Sequence, residues 1–291
     1  IEGFLPEYLA NILLDHDFDA ERSFRERGIN RSVRFIACSG IVKNQILMKQ
    51  IQDIMQLLQK EYEYPVDIEF TVNLSETGEY SINLLQCRPL KVFKDIGKAQ
   101  IPEDIAEEKI ILENVHSSMG LSRNVKIDHI VLVDPIAYYN MPYAQKPNVA
   151  KLIGTINWKY KGKNKHMLLM VPGRIGTSSP ELGVPTTFAD ISEFEAICEI
   201  EEKKAGYNPE LSYGSHIFQD LVEAEILYTA VFANEKTLRF APEKLAEYPD
   251  IVSLFTEDPE LKQVVHVYDM SKVSCELCND LQNERLVLYQ Q

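Results

Sequence analysis

The residues best placed to do chemistry lie in one short stretch, "VDIEFTVNLSETGEYSINLLQCRPL", residues 66–90. A turn centred on Thr77-Gly78 folds it into a hairpin that sets Glu69 opposite Gln86, Thr71 opposite Leu84 and Asn73 opposite Ile82. Side chains alternate between the faces of a strand, so Glu69, Thr71 and Asn73 share a face with Gln86 and Arg88. Ile68, Phe70, Val72, Leu85 and Cys87 then turn toward a core. A carboxylate opposite a carboxamide offers two hard oxygens, the kind of donor Mg2+ takes alongside waters and nucleotide phosphates. Arg88 adds a fork of donors for a phosphate or carboxylate. The same five polar residues also suit a hairpin with one solvated face.

A second group of polar residues stands in "PGRIGTSSPELGVP", residues 172–185. Gly173, Arg174, Gly176, Thr177 and Ser178 follow an apolar run, and successive N–H groups in such a turn can cradle an anion. An ordinary turn of glycines and hydroxyls explains them equally. In "GSHIFQD", Ser215 is placed to cap a helix with His216 in its first turn, and His216 joins Arg174 only if the two loops meet. His116, His166 and His266 sit in or beside apolar runs and read as structural. The Trp158–Tyr160 aromatics suit a core more than a pocket. Cys275 and Cys278 form a lone C-x-x-C with no second pair of ligands nearby, so incidental thiols are expected over a zinc or redox site.

The elements that must position these residues follow from apolar periodicity. Ile46, Leu47, Ile51, Ile54, Met55, Leu57 and Leu58 recur at helical spacing over 43–63, and Tyr64-Pro65 ends that helix. Residues 4–27 read as one charged helix ending at Gly28, and 32–38 as a short strand. The polar run 91–107 separates a second region with strands near 108–114, 128–133, 166–171, 195–201, 226–232, 263–268 and 285–289. Helices are expected near 144–156, 216–224 and 242–248. Strands and helices mix without strict alternation, so the expected class is α+β, or mixed α/β.

At 291 residues the chain has room for about two domains. Its 44 acidic and 30 basic residues leave a net charge of −14, which argues against a general nucleic-acid or anionic-membrane binder. No apolar run reaches the roughly 20 residues that span a bilayer. Five cysteines without a regular framework point to the cytoplasm. The opening Ile1-Glu2-Gly3 reads as the middle of a longer protein, so a fragment is expected.

The helix, "YPVDIEF" and "INLLQCRPL" together resemble the end of the nucleotide-binding domain of phosphoenolpyruvate synthase and pyruvate phosphate dikinase. In that family a helix ends in Pro, D-I-E opens a strand and L-Q-x-R-P closes its partner. Here Pro65, Asp67-Ile68-Glu69 and Leu85-Gln86-Cys87-Arg88-Pro89 match, within residues 41–91. The resemblance implies part of an ATP-grasp fold over 1–92, then a linker at 93–107 and a mixed α/β accessory domain over 108–291. It implies ATP and Mg2+ as cofactors, Glu69 and Gln86 as Mg2+–ATP ligands, and Arg88 at the phosphate end.

In complete members ATP phosphorylates a histidine on a swivelling domain, and the phosphoryl group passes to pyruvate at a barrel domain. The nearest match to a phosphate-binding glycine loop, "ACSGIVKNQ" at 37–45, also suits a plain strand–helix turn. "ELGVP" resembles the swivelling domain's E-L-G-I-P, but Thr177, Ser178 and Ser179 stand where its phosphorylated His belongs. The chain is therefore expected to be inactive alone, with a nucleotide and the parent's other domains as its partners. Residues 100–291 resemble a C-terminal region of some synthase-like proteins, on the strength of residues 168–192 and 209–224, which implies architecture only. Two further expectations compete: a regulatory module that senses a small anion or docks a partner, and a relic that no longer uses ATP.

Overall fold

The computed structural model describes residues 6–37, 39–75, 77, 79–89, 97–202, 211–212 and 216–291, without the side chains of Glu7, Asn11, Tyr80 and His216. The chain divides into two compact units, Ile1–Val92 and Phe93–Gln291, and its class is mixed α+β.

The first unit runs α1 (Glu7–Leu13), β1 (Leu14–His16), α2 (Phe18–Glu26), β2 (Arg34–Ile36), α3 (Ser39–Val42), α4 (Gln45–Tyr62), β3 (Val66–Leu74) and β4 (Tyr80–Pro89). The single helix expected over 4–27 is broken. Leu14, Asp15 and His16 pair antiparallel with Ile36, Phe35 and Arg34. Asp17 then restarts the helix by accepting a hydrogen bond from Ala20 N at 2.9 Å. Residues 39–42 form the short α3, where Ser39 Oγ donates to Asp15 Oδ2 at 2.9 Å. Asn44 caps α4 through Leu47 N, and Glu63 ends it in the left-handed conformation, φ 59°. Among the described residues of this unit, only Leu47 and Val66 are buried hydrophobics.

The second unit contains β5 (Ile110–Val115), β6 (Ser118–Met119), β7 (Arg123–Lys126), β8 (His129–Val133), α5 (Pro135–Asn140), α6 (Lys146–Tyr160), β9 (Met167–Pro172), β10 (Arg174–Ile175), β11 (Gly183–Val184) and β12 (Ala196–Ile200). It continues with α7 (His216–Glu223), β13 (Leu227–Val231), β14 (Thr237–Phe240), α8 (Leu261–Val264), β15 (Val265–Asp269), β16 (Cys275–Asp280) and β17 (Arg285–Gln290). Six strands form a sheet in the order β15-β8-β9-β12-β13-β6, with β8, β9, β12 and β13 parallel and the two edges antiparallel. Five more form an antiparallel sheet, β14-β5-β17-β16-β7.

Alternation along the strands divides the core. Val131, Leu169, Ile197 and Tyr228 face α5–α8, packing with Tyr138, Ile153, Leu221 and Val264. Ile130, Leu168, Cys198 and Leu227 face the other way, against Leu112, Leu277 and Leu288 of the antiparallel sheet. The parallel strands are therefore covered on both faces, which is why they read as unbroken apolar runs. The outer face of the antiparallel sheet packs Val287 and Tyr289 against Ile101 and Ile105. From Gly97 on, the stretch expected as a linker lies on the second unit: Gly97 bridges Ser122, and Gln100 exchanges two hydrogen bonds with the Asn124 side chain.

The segment 242–247 is 3-10 rather than α-helical. Strands β7, β14 and β16 lie where periodicity showed none. Strand β16 carries the C-x-x-C, and a separation of three in a strand sends the two thiols to opposite faces. Cys275 lies between the two sheets and Cys278 on the outer side, both buried. They cannot close on one metal ion. Burial pushes both thiols up to about 12. Neither is expected to react with an aromatic disulfide reagent at pH 8 until the protein is denatured; labelling of native Cys275 or Cys278, read by peptide mass, would contradict this.

Candidate functional site

The hairpin forms because β-branched and aromatic residues alternate with polar ones on both sides of a tight turn. Ser75 N donates to Glu79 O and Glu79 N to Ser75 Oγ, both at 3.0 Å, which closes the turn. Strands β3 and β4 pair antiparallel, with Asp67 opposite Arg88, Ile68 opposite Cys87 and Glu69 opposite Gln86. Beyond Glu69 the register slips by one: Phe70 faces Leu84, Thr71 faces Asn83, Val72 faces Ile82 and Asn73 faces Ser81. The expected partners Leu84 for Thr71 and Ile82 for Asn73 are therefore replaced. The cause is a bulge that gives β4 one extra residue, Leu85. Leu85 does not point into a core; it is 63% exposed.

The bulge lies immediately past the Glu69–Gln86 pair. Glu69, Gln86 and Arg88 share one face, Glu69 exposed and the other two half-buried. With its carboxamide oxygen toward the arginine, Gln86 accepts from Arg88 Nη2 at 2.7 Å and also from Nε. Arg88 thus holds the Gln86 oxygen in place. Asp67 stands on the same face, opposite Arg88, and adds a second carboxylate. Asp67 belongs to the D-I-E run, and its position two residues before Glu69, on the same strand face, is the signal that marks it. Among the described residues, no group of three or more His, Cys, Asp or Glu is arranged to hold a metal ion.

In the second unit, the 173–178 turn follows the C-terminal end of β9, where open α/β sheets place ligands. The first four backbone donors of this turn, residues 173–176, are used internally. Gly173 N donates to Ile200 O, Arg174 N to Leu182 O and Gly176 N to Val184 O. Ile175 N donates to Glu199 Oε1 at 2.8 Å. Thr177 Oγ1 accepts from Ser179 N. Ser215 and the side chain of His216 lie outside the described residues, so no meeting with Arg174 is assigned.

Glu199 is the residue that sequence reading missed. It lies in β12 with no solvent exposure. Besides Ile175 N, it accepts from Ser212 N at 2.8 Å, Ser212 Oγ at 2.5 Å and Tyr228 Oη at 2.7 Å. Burial raises its carboxyl above the ordinary range, while these four donors pull the other way. The internal carboxylate takes the donor that an outside anion would need from Ile175. The histidines expected to be structural sit in pairs: His166 with Glu195 at 3.0 Å, His266 with Asp250 at 2.8 Å and His116 with Glu284 at 2.5 Å. Tyr160 packs on the core and meets His129 Nε2 at 3.1 Å, whereas Trp158, expected inside, is 62% exposed.

No curated protein and no solved structure matches the chain. Residues 14–109 match the family model for pyruvate phosphate dikinase, AMP/ATP-binding domain, and that stretch, with Glu69, Gln86 and Arg88 inside it, is similar to the nucleotide-binding part of that family.

Proposed function

We propose that the first unit supplies one wall of a Mg2+–ATP site in a phosphoenolpyruvate synthase-like, ATP-dependent phosphotransferase. One observation carries the reading: Glu69 stands opposite Gln86, with Arg88 beside it on the same face, inside the matched stretch. The donor set fits the cofactor. A carboxylate and a carboxamide supply hard oxygens for Mg2+, leaving its other positions to water and phosphate oxygens. Arg88 supplies positive charge for the phosphates, and the Gln86 oxygen it now holds would turn from it to Mg2+ when the metal–nucleotide binds. Metal-bound ATP brings the transferable phosphoryl group; these side chains position and neutralise it. Its partners are the nucleotide and other domains of a longer chain, which would supply the rest of the site and the acceptor. A small-anion sensor built on Gly173, Arg174, Gly176, Thr177, Ser178 and His216 has less support, because four successive N–H groups of that turn are already bonded within the protein.

Calorimetry of Mg2+–ATP against the full-length protein tests the proposal. Glu69→Ala and Arg88→Ala are each expected to weaken binding about tenfold or more, some 1.4 kcal/mol per factor of ten. Undetectable binding by the full-length protein, or wild-type affinity in both variants, would overturn it.

A further inference from the structure

The charge of this chain is unevenly spread. It carries −14 overall, yet from residue 135 through residue 180 there is no Asp or Glu, while lysines recur. Much of that positive charge lies on one surface of the second unit. Lys151, Trp158 and Lys159 form an exposed stripe of α6, and Lys161 and Lys163 continue it in the loop that follows. Leu254, 62% exposed, lies alongside, its carbonyl accepting from Lys159 Nζ at 2.9 Å.

Three of these cations lie over aromatic rings. Lys161 Nζ sits 4.4 Å from the centre of the Trp158 ring, Lys159 Nζ 4.5 Å from that of Phe255 and Lys163 Nζ 5.9 Å from that of Tyr160. Among the described residues no carboxylate pairs with Lys151, Lys159, Lys161 or Lys163. Ion pairs stand at the edges of this surface, Lys165 with Asp128 at 3.1 Å at the end of the loop and Lys262 with Glu257 at 3.0 Å beyond Leu254. A lysine stacked on an aromatic ring has already given up part of its side-chain freedom, so less entropy is lost when it meets a partner. An exposed tryptophan with a leucine beside it is the kind of anchor that dominates protein interfaces, and a cationic rim adds steering and register.

We propose that this face docks a protein segment rich in Asp and Glu that carries an apolar side chain for Trp158 and Leu254. Charge complementarity selects this partner. The rest of the chain is strongly negative, which disfavours the extended phosphate backbone of nucleic acid and the broad anionic plane of a membrane. A short acidic segment can meet Lys159, Lys161 and Lys163 on the side of Trp158 away from Glu257 and Asp258.

Trp158 is the only tryptophan in the chain, so its emission reports this face directly. The full-length protein is titrated with a synthetic peptide of alternating Glu and Asp bearing two leucines. The expected result is a saturable blue shift, with affinity falling about tenfold between low and physiological salt. The Lys161→Glu/Lys163→Glu variant should lose the response while keeping its melting temperature, since both positions are exposed. Trp158→Ala, followed by calorimetry, should weaken binding by a further measure that the charge reversal does not explain. No saturable response, or wild-type affinity in the charge-reversed variant, overturns the proposal. Equal or tighter binding of phosphatidylserine vesicles or of a DNA duplex overturns it in favour of those surfaces. Sedimentation showing self-association that shifts the Trp158 emission overturns it in favour of a second copy.

Discussion

Glu199→Ala is expected to lower the melting temperature of the second unit by on the order of 10 °C, a loss of about 4 kcal/mol. The reason is the number of donors left behind. Ile175 N, Ser212 N and Tyr228 Oη end on this one buried carboxyl group, while Ser212 Oγ reaches both it and Ile175 O. Each buried donor left unmatched costs about 1–3 kcal/mol, less whatever relaxation recovers. Glu199→Gln is not a harmless replacement. Each carboxyl oxygen receives one backbone N–H, so a carboxamide must aim its NH2 at one of them. Tyr228→Phe removes a single donor and should cost about 1 kcal/mol.

The pH dependence follows from the same burial. The Glu199 carboxyl is raised, so folding binds a proton there. That contribution is fully present below the ordinary carboxyl value and is lost as pH rises from it through the folded value. Urea titrations over pH 4–8 should therefore show a falling component in the wild type that Glu199→Gln removes. Equal slopes, or a wild-type melting temperature in Glu199→Ala, would show that this residue does not hold the turn.

Gly183→Ala is expected to be nearly as damaging, about 3 kcal/mol or more. Strand β10 pairs with β11 through Arg174 opposite Gly183, and Gly183 has φ 154°. A methyl group at Gly183 would meet the backbone oxygen and nitrogen of Arg174, which are not flexible side-chain atoms. The two strands would have to separate, and with them the hydrogen bond that Gly183 O accepts from Tyr138 Oη at 2.7 Å. Gly162 makes the control. Its φ of 69° also favours glycine, but nothing lies within 4 Å, so Gly162→Ala should cost only about 1 kcal/mol. Chemical denaturation of the two variants measures the difference; similar losses would mean that conformation, not the β10–β11 contact, sets the cost.

Where one rule of periodicity governed a whole element, the sequence could be read. Helix α4, strands β8, β9, β12 and β13, and the Glu69–Gln86 pair were all legible, because each rests on spacing within a few residues. Long-range geometry was not. Leu85 looks like any inward residue of an alternating strand, and only pairing with β3 shows that it is the extra one. Leu14–His16 continues a helical pattern until β2 arrives to pair with it. In "AICEI" the alternation would send Glu199 to solvent in a sheet with one wet face; this sheet has none, so the same pattern buries a carboxyl. Trp158 lies past the helix expected near 144–156; α6 in fact runs on to Tyr160 and carries Trp158 on its exposed side.

The contrast in burial between the units bears on cooperativity. Leu47 and Val66 are the buried hydrophobics among the described residues of the first unit, while the second encloses layers of them on both sides of a sheet. Local opening free energies follow buried apolar area, so the backbone amides around the Glu69–Gln86 pair belong to the low end of the range and those of β8 and β12 to the high end. A single free energy of unfolding is then not defined for this chain. On this account the Glu69–Gln86 hairpin is the part whose conformational ensemble a bound ligand would narrow most, by favouring its ordered members over the others.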